Sequence, residues 1–274
     1  MRKTILAGLI MSFLGLLLGP SSWESTAQTR KELDDAAIKE VIRKFTENES
    51  RLREEYKSFL FKQDIKVQTL GPRGMVTGEF RRVSEIIVND RGQREERITY
   101  FPRSTLREIS ITQYDFDDFA GIQPFALGKE DLPKYIVSYV GREKIDDLYT
   151  YSFDVRPRVT PDPKKLSERY FQGRVWVDTE DLMIVKVVGK ALPEDRDNKF
   201  PRFETYRENI EGKLWFPTYT EADDTLEFRE GPIHVRMIIS YTNYKRFGGK
   251  IEILDVEPEE AGKKKDEKPP VKKP

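Results

Sequence analysis

The chain has 274 residues, no cysteine, one histidine, and 48 basic side chains against 48 acidic ones. Without cysteine there is no disulfide framework and no thiol to carry a lipid anchor, so the fold must be held by its core alone. The charge balance gives no electrostatic case for nucleic acid or an acidic membrane surface, and one histidine without cysteine removes the usual zinc ligand sets.

Met1-Arg2-Lys3, the apolar run from Ile5 to Leu18 and then Ser25-Thr26-Ala27 are the three parts of a secretory signal peptide. The run is about 14 residues, short of the ~20 that cross a bilayer as a helix. Cleavage after Ala27 is expected, leaving a soluble mature chain of about 247 residues from Gln28, with 46 basic and 47 acidic groups, in the periplasm or outside the cell. That length suits one large β domain, placed at 28–254. The end of the chain, PEEAGKKKDEKPPVKKP, offers too little apolar surface to offset its ordering entropy, so 255–274 is expected to be a disordered, charged Pro/Lys-rich tail.

A helix is expected over 30–54. Thr29 and Glu32 have capping-box spacing, and Ile38, Val41, Ile42, Phe45, Leu52 and Tyr56 fall on one stripe at 3.6 residues per turn. Ten segments then read as strands, at 56–70, 78–90, 93–101, 135–141, 147–155, 169–178, 182–192, 202–209, 213–223 and 234–247, rich in β-branched and aromatic residues. Short turn signals at 89–92, 178–181, 211–212 and 230–232 join neighbours as antiparallel hairpins. The fold class is therefore α+β and mostly antiparallel, with no helices alternating between strands as a parallel sheet requires.

The pattern breaks once, between Ile109 and Tyr135. Thr112 and Asp115 again have capping-box spacing, Ile111 is placed to staple onto Phe116, and Phe119, Ile122, Phe125 and Leu127 follow. This is a short amphipathic helix with an apolar loop, serving either as a plug at one end of the sheet or as a movable lid. Some strands are also apolar on both faces. Phe171, Val175 and Val177 oppose Tyr170 and Trp176, while 183, 185 and 187 oppose 182, 184 and 188. Such strands are covered on both sides or line a cavity.

No catalytic constellation stands out. Nucleophile-elbow, phosphate-loop, dinucleotide and HExxH patterns are absent. His234 alternates with Val235, Met237, Ile239 and Tyr241 and shares the polar side with Arg236. Carboxylates gather at Asp115, Asp117 and Asp118, at Asp146-Asp147 and at Asp223-Asp224, and the first cluster lacks the glycine and terminal glutamate of a calcium loop. No enzyme activity, metal or cofactor is expected. Tyr206, Trp215, Tyr219, Tyr241 and Tyr244 are either a ligand-contacting stripe or ordinary cross-strand pairs.

The run RYFQGRVWVDTEDLMIVKVVGKAL, with GEFRRVSEII, IQPFALGKEDLPKY, FPRFETYREN and KLWFPTYTEADDTLEF, resembles the LolA/LolB-like superfamily of periplasmic lipoprotein-sorting proteins, in a largely uncharacterised secreted branch, over about residues 30–247. The resemblance implies a curved antiparallel half-barrel of about ten strands, with an N-terminal helix and a helical or loop lid on its concave side. It further implies a non-enzymatic carrier or chaperone that holds the acyl chains of a lipoprotein or another lipid. With no anchoring cysteine, this chain resembles the soluble carrier. On this reading Phe116, Phe119, Ile122, Phe125 and Leu127 form the lid and Trp176, Met183, Val185, Met237 and Ile239 the wall. The partners are a lipid or lipoprotein acyl chain and inner- or outer-membrane envelope proteins, the protein is a monomer, and no nucleic acid is involved. Two rival readings stand beside it: an envelope sensor or scaffold that binds another protein through the same fold, and, less favoured, a carboxylate-dependent hydrolase.

Overall fold

The computed structural model describes residues 33–89, 91, 93–165, 168–212 and 214–247. The expected signal segment 1–27, the Thr29/Glu32 capping box and the tail 255–274 lie outside the described residues. The first helix, α1, runs Asp35–Tyr56, and its start is capped by Asp34, whose carboxylate accepts from Ala37 N at 2.8 Å. Asp at this position satisfies an otherwise unpaired helix N–H. Phe45 and Leu52 are buried beneath the helix, while Arg43 pairs with Glu40 and Glu47 on its exposed side.

All ten expected strands form: β1 Phe59–Leu70, β2 Val76–Val88, β3 Arg94–Tyr100, β4 Tyr135–Ile145, β5 Leu148–Pro157, β6 Tyr170–Asp178, β7 Ile184–Leu192, β8 Phe203–Glu211, β9 Leu214–Phe228 and β10 Gly231–Arg246. They make one sheet in the order β3-β2-β1-β10-β9-β8-β7-β6-β5-β4, with every pairing antiparallel. The sheet is open, as a half-barrel is, because β3 and β4 are its two edges and do not pair.

This order has a direct consequence. β3 and β4 are consecutive in sequence but lie at opposite edges, so the chain from 101 to 134 must cross the whole sheet. That crossing strap carries the second helix, α2, Gln113–Gly121. Its first turn is held as the spacing predicted, with the Asp115 carboxylate accepting from both the N–H and the hydroxyl of Thr112, each at 2.7 Å. The strap is built into the core. Phe119, Ile122, Phe125 and Leu127 belong to the same buried cluster as Phe45, Phe153, Phe171 and Phe203. Phe125 stacks on Phe171 with ring centroids 4.1 Å apart. Phe171 in turn lies across Gly189, where a Cβ would press into its ring.

One register expectation fails. In β7 a bulge falls between the pairs Trp176↔Lys186 and Val177↔Ile184, so Ile184 and Val187 face the core together instead of opposing each other. A bulge inserts one extra residue and resets the alternation beyond it.

Glu49 of α1 and Arg207 of β8 form a buried ion pair, their side chains 0% and 1% exposed. Arg207 Nη1 donates to both Glu49 oxygens at 3.1 and 3.0 Å and to Ile184 O at 3.3 Å, while Ile184 N donates to Glu49 at 3.0 Å. Arg207 Nη2 donates to the backbone oxygens of Pro124 and Phe125 in the strap. Burial pushes the Glu49 carboxyl up, and Arg207 pulls against it. Breaking a buried pair from one side leaves an uncompensated charge, so Arg207→Met should destabilise the fold by about 3–5 kcal/mol. Adding Glu49→Met should recover a large part of that loss in denaturant melts; a double variant as unstable as the sum of the two single ones would refute the coupling.

Candidate functional site

Where the strap crosses β1, β9 and β10 it leaves a cavity of about 1020 Å³. The sheet contributes Val67, Leu226, Val235 and Met237, all buried, and α2 contributes Phe119. Leu106, Ile109 and Ile111 of the strap line another side, and Phe200 in the loop between β7 and β8 lines a third. Exposed polar residues, among them Arg107, Glu108, Ser110, Thr112, Asp197 and Glu230, rim the opening.

The strap is fastened unevenly. At its start Thr105 N donates to Glu79 O at 2.9 Å, and Glu79 N donates to Thr105 Oγ1 at 2.8 Å. At its far end Thr205 donates to Gln123 O at 2.7 Å, Lys129 N donates to Thr46 O at 3.2 Å, and Ser50 donates to Glu130 at 2.6 Å. Between these anchors, no backbone hydrogen bond among the described residues ties 106–111 to the sheet. The strap is therefore hydrogen-bonded to its surroundings through its backbone at 105 and from 123 onward, and between these points 106–111 is held by the packing of Leu106, Ile109 and Ile111 and by a contact from Thr77 to Glu108.

Of the expected lid residues, Phe119 lines the cavity. Phe116 is half-buried beside Phe80, with the Arg82 guanidinium 4.5 Å over its ring. Ile122 and Phe125 face a smaller depression of about 380 Å³ beside Arg53 and Tyr170, and Leu127 is fully buried. Of the expected wall residues, Met237 lines the cavity and Ile239 is buried further along β10. Trp176 lies on the opposite sheet face, its indole donating to Glu143 at 2.7 Å and the Lys186 ammonium 5.3 Å over its ring. Met183 packs with Leu52, Phe59 and Phe216 in a separate cluster, and Val185 is buried at the β7 bulge. The structure thus brings Phe119 and Met237 together and disperses the rest.

Period-two extension from Met237 would have found Val235 and Ile233. Phe200 and the 106–111 loop carry no periodic signal, so sequence reasoning missed them. The aromatic stripe also separates. Tyr241 is in the core and Tyr244 stacks on Phe216. Trp215 donates to Asp181, while Tyr206 and Tyr219 are cross-strand partners.

Two polar side chains line the cavity with unmet acceptors. Asp118 is 2% exposed; its Oδ2 accepts from Arg169 Nε at 3.2 Å, while Oδ1 has no partner. Gln123 is 5% exposed and its Oε1 has no partner. Burial pushes the Asp118 carboxyl up to about 7 against the attraction of Arg169. His234 pairs with Asp223, which also accepts from Arg236 Nε at 3.0 Å, away from the cavity lining. Among the described residues no group of three or more His, Asp or Glu side chains is gathered to hold a metal ion, and no helix is long and apolar enough to cross a membrane.

No family model matches the chain, and no curated protein matches it. Solved structures similar to it include a DUF1329 family protein from Desulfovibrio piger ATCC 29098, with 14% identity, a TM-score of 0.38 and coverage of 76% of this chain and 94% of that one. A LolA superfamily protein from Nitrosomonas europaea has 13% identity and a TM-score of 0.32, covering 72% of this chain and 92% of that one. A domain assigned to outer membrane lipoprotein sorting, from Vibrio parahaemolyticus, has 15% identity and a TM-score of 0.37, with 76% and 93% covered.

Because the folded pKa of Asp118 stands above the ~3.9 of an unfolded aspartate, the native state holds a proton that the unfolded chain has released between about pH 4 and 7. Stability should therefore fall as pH rises through that window and level off above it. Relative to Asp118→Asn, the wild-type protein should lose roughly 2–4 kcal/mol across the window. Parallel stability curves for the two proteins from pH 4 to 8 would contradict the assignment.

Proposed function

We propose that this protein is a periplasmic, non-enzymatic carrier that holds the apolar chain of an amphiphile, a lipid or the acyl chain of a lipoprotein, in the cavity between strap and sheet. The observation that carries the reading is the cavity itself. Its volume of about 1020 Å³ stands at the upper end of the ~300–1,000 Å³ common for small-molecule sites, its inner walls are aliphatic and aromatic apart from the buried Asp118 and Gln123, and its rim is polar. Burial contributes about 0.8 kcal/mol per methylene, so a chain of about ten carbons gains enough to be held reversibly without any catalytic group. The expected signal segment supplies the compartment, and 28–254 is the proposed carrier domain, with 255–274 as an appended tail.

A second reading is favoured by one observation. The edge strand β3 is exposed along its described side chains, and Ile98, Tyr100 and the following Phe101 each expose about half their surface. A free strand edge of this kind can take up a strand from another protein, as a scaffold would.

The carrier reading is tested at the strap wall. Leu106→Asp with Ile109→Asp should lower the affinity for a dodecyl-chain probe at least about tenfold in calorimetric titration at a temperature where both proteins are folded by circular dichroism. Unchanged affinity in the variant, or no uptake by the wild-type protein, would overturn it.

A further inference from the structure

The lining of the cavity also selects the head group, an inference that rests on the carrier reading above. At the rim four carboxylates, Glu108, Asp115, Asp197 and Glu230, stand against two cations, Arg107 and Lys199. Asp118 is left out of that comparison because Arg169 is tied to it. Deeper in, the two buried side-chain atoms of the lining that lack a partner, Asp118 Oδ1 and Gln123 Oε1, are both acceptors. A buried acceptor without a donor carries a desolvation cost that a donor-bearing ligand removes. An anionic head would add like charge to the rim and offer these oxygens nothing. An ammonium brings positive charge and up to three N–H donors on one compact atom.

We propose that the cavity binds a single-chain lipid amine, with its ammonium received by the acidic rim and the Asp118/Gln123 acceptors and its hydrocarbon chain against Val235 and Met237. The selectivity is set by charge and by donor count together. A neutral head satisfies the acceptors in part, and a carboxylate does neither.

The test is calorimetric titration of the full mature chain, in low salt at pH 8, where the Asp118 carboxyl is ionised, with dodecylamine, dodecanoate and dodecyl maltoside. The three share chain length and differ in head group. Dodecylamine should bind at least about tenfold more tightly than dodecanoate, and the preference should shrink as salt is raised. The rim variant Glu108→Gln/Asp197→Asn/Glu230→Gln changes three exposed side chains. It should lose most of the preference while binding dodecyl maltoside as before. Gln123→Met should weaken dodecylamine more than dodecyl maltoside. Dodecanoate binding as tightly as dodecylamine, or a preference untouched by the rim variant, would overturn this inference and leave the carrier reading standing. Failure of all three probes to bind would overturn the carrier reading itself.

Discussion

The ion pair between Glu49 and Arg207 is the constraint on which the rest of the structure depends. Two charges removed from water cost more than their mutual attraction returns unless every remaining donor and acceptor is used. Here nearly all are. The Glu49 carboxylate takes Arg207 and the Ile184 N–H, and the guanidinium takes Ile184 O and the strap carbonyls at Pro124 and Phe125. One side-chain pair therefore fixes the helix, two neighbouring strands and the crossing strap to each other. A purely apolar contact would bury similar area but would not specify which carbonyls the strap presents or where it stops.

From that point outward, topology does the rest. A sheet whose consecutive third and fourth strands are its opposite edges must be crossed by the chain that joins them, and the crossing chain must cover the core face. Past residue 123 the strap is locked by Thr205, Arg207 and the α1 contacts, and stacking of Phe125 on Phe171 fills the space beneath it. Between Thr105 and α2 no backbone hydrogen bond among the described residues ties the strap to the sheet, and there the cavity lies. The difference between a packed end and a hollow end of one segment thus follows from where its hydrogen bonds are.

Much of the fold was legible in the sequence because its signals are local. Alternating β-branched and aromatic residues marked all ten strands, and the Thr112/Asp115 spacing marked α2. What escaped depends on pairing between distant residues. Nothing local states that β1 lies beside β10, or that a bulge near Val185 turns Ile184 and Val187 to the same side. The buried pair did leave a trace. Glu49 falls in the gap of the apolar stripe between Phe45 and Leu52, and Arg207 continues the inward alternation of Phe203 and Thr205. A charge on the buried face of each of two elements is itself a signal of a partner. The candidate wall was harder to read, because Trp176 satisfies the same alternation as a core residue yet faces the other way, with Glu143 and Lys186.

The account turns on whether the hollow end of the strap holds a hydrocarbon chain. Native mass spectrometry with lipid extraction, on protein recovered from the periplasm, tests that most directly. The account predicts an acyl- or alkyl-chain species bound at one per chain and recovered in the extract. A clean unliganded mass that stays unchanged after incubation with single-chain lipids and acylated peptides would contradict it.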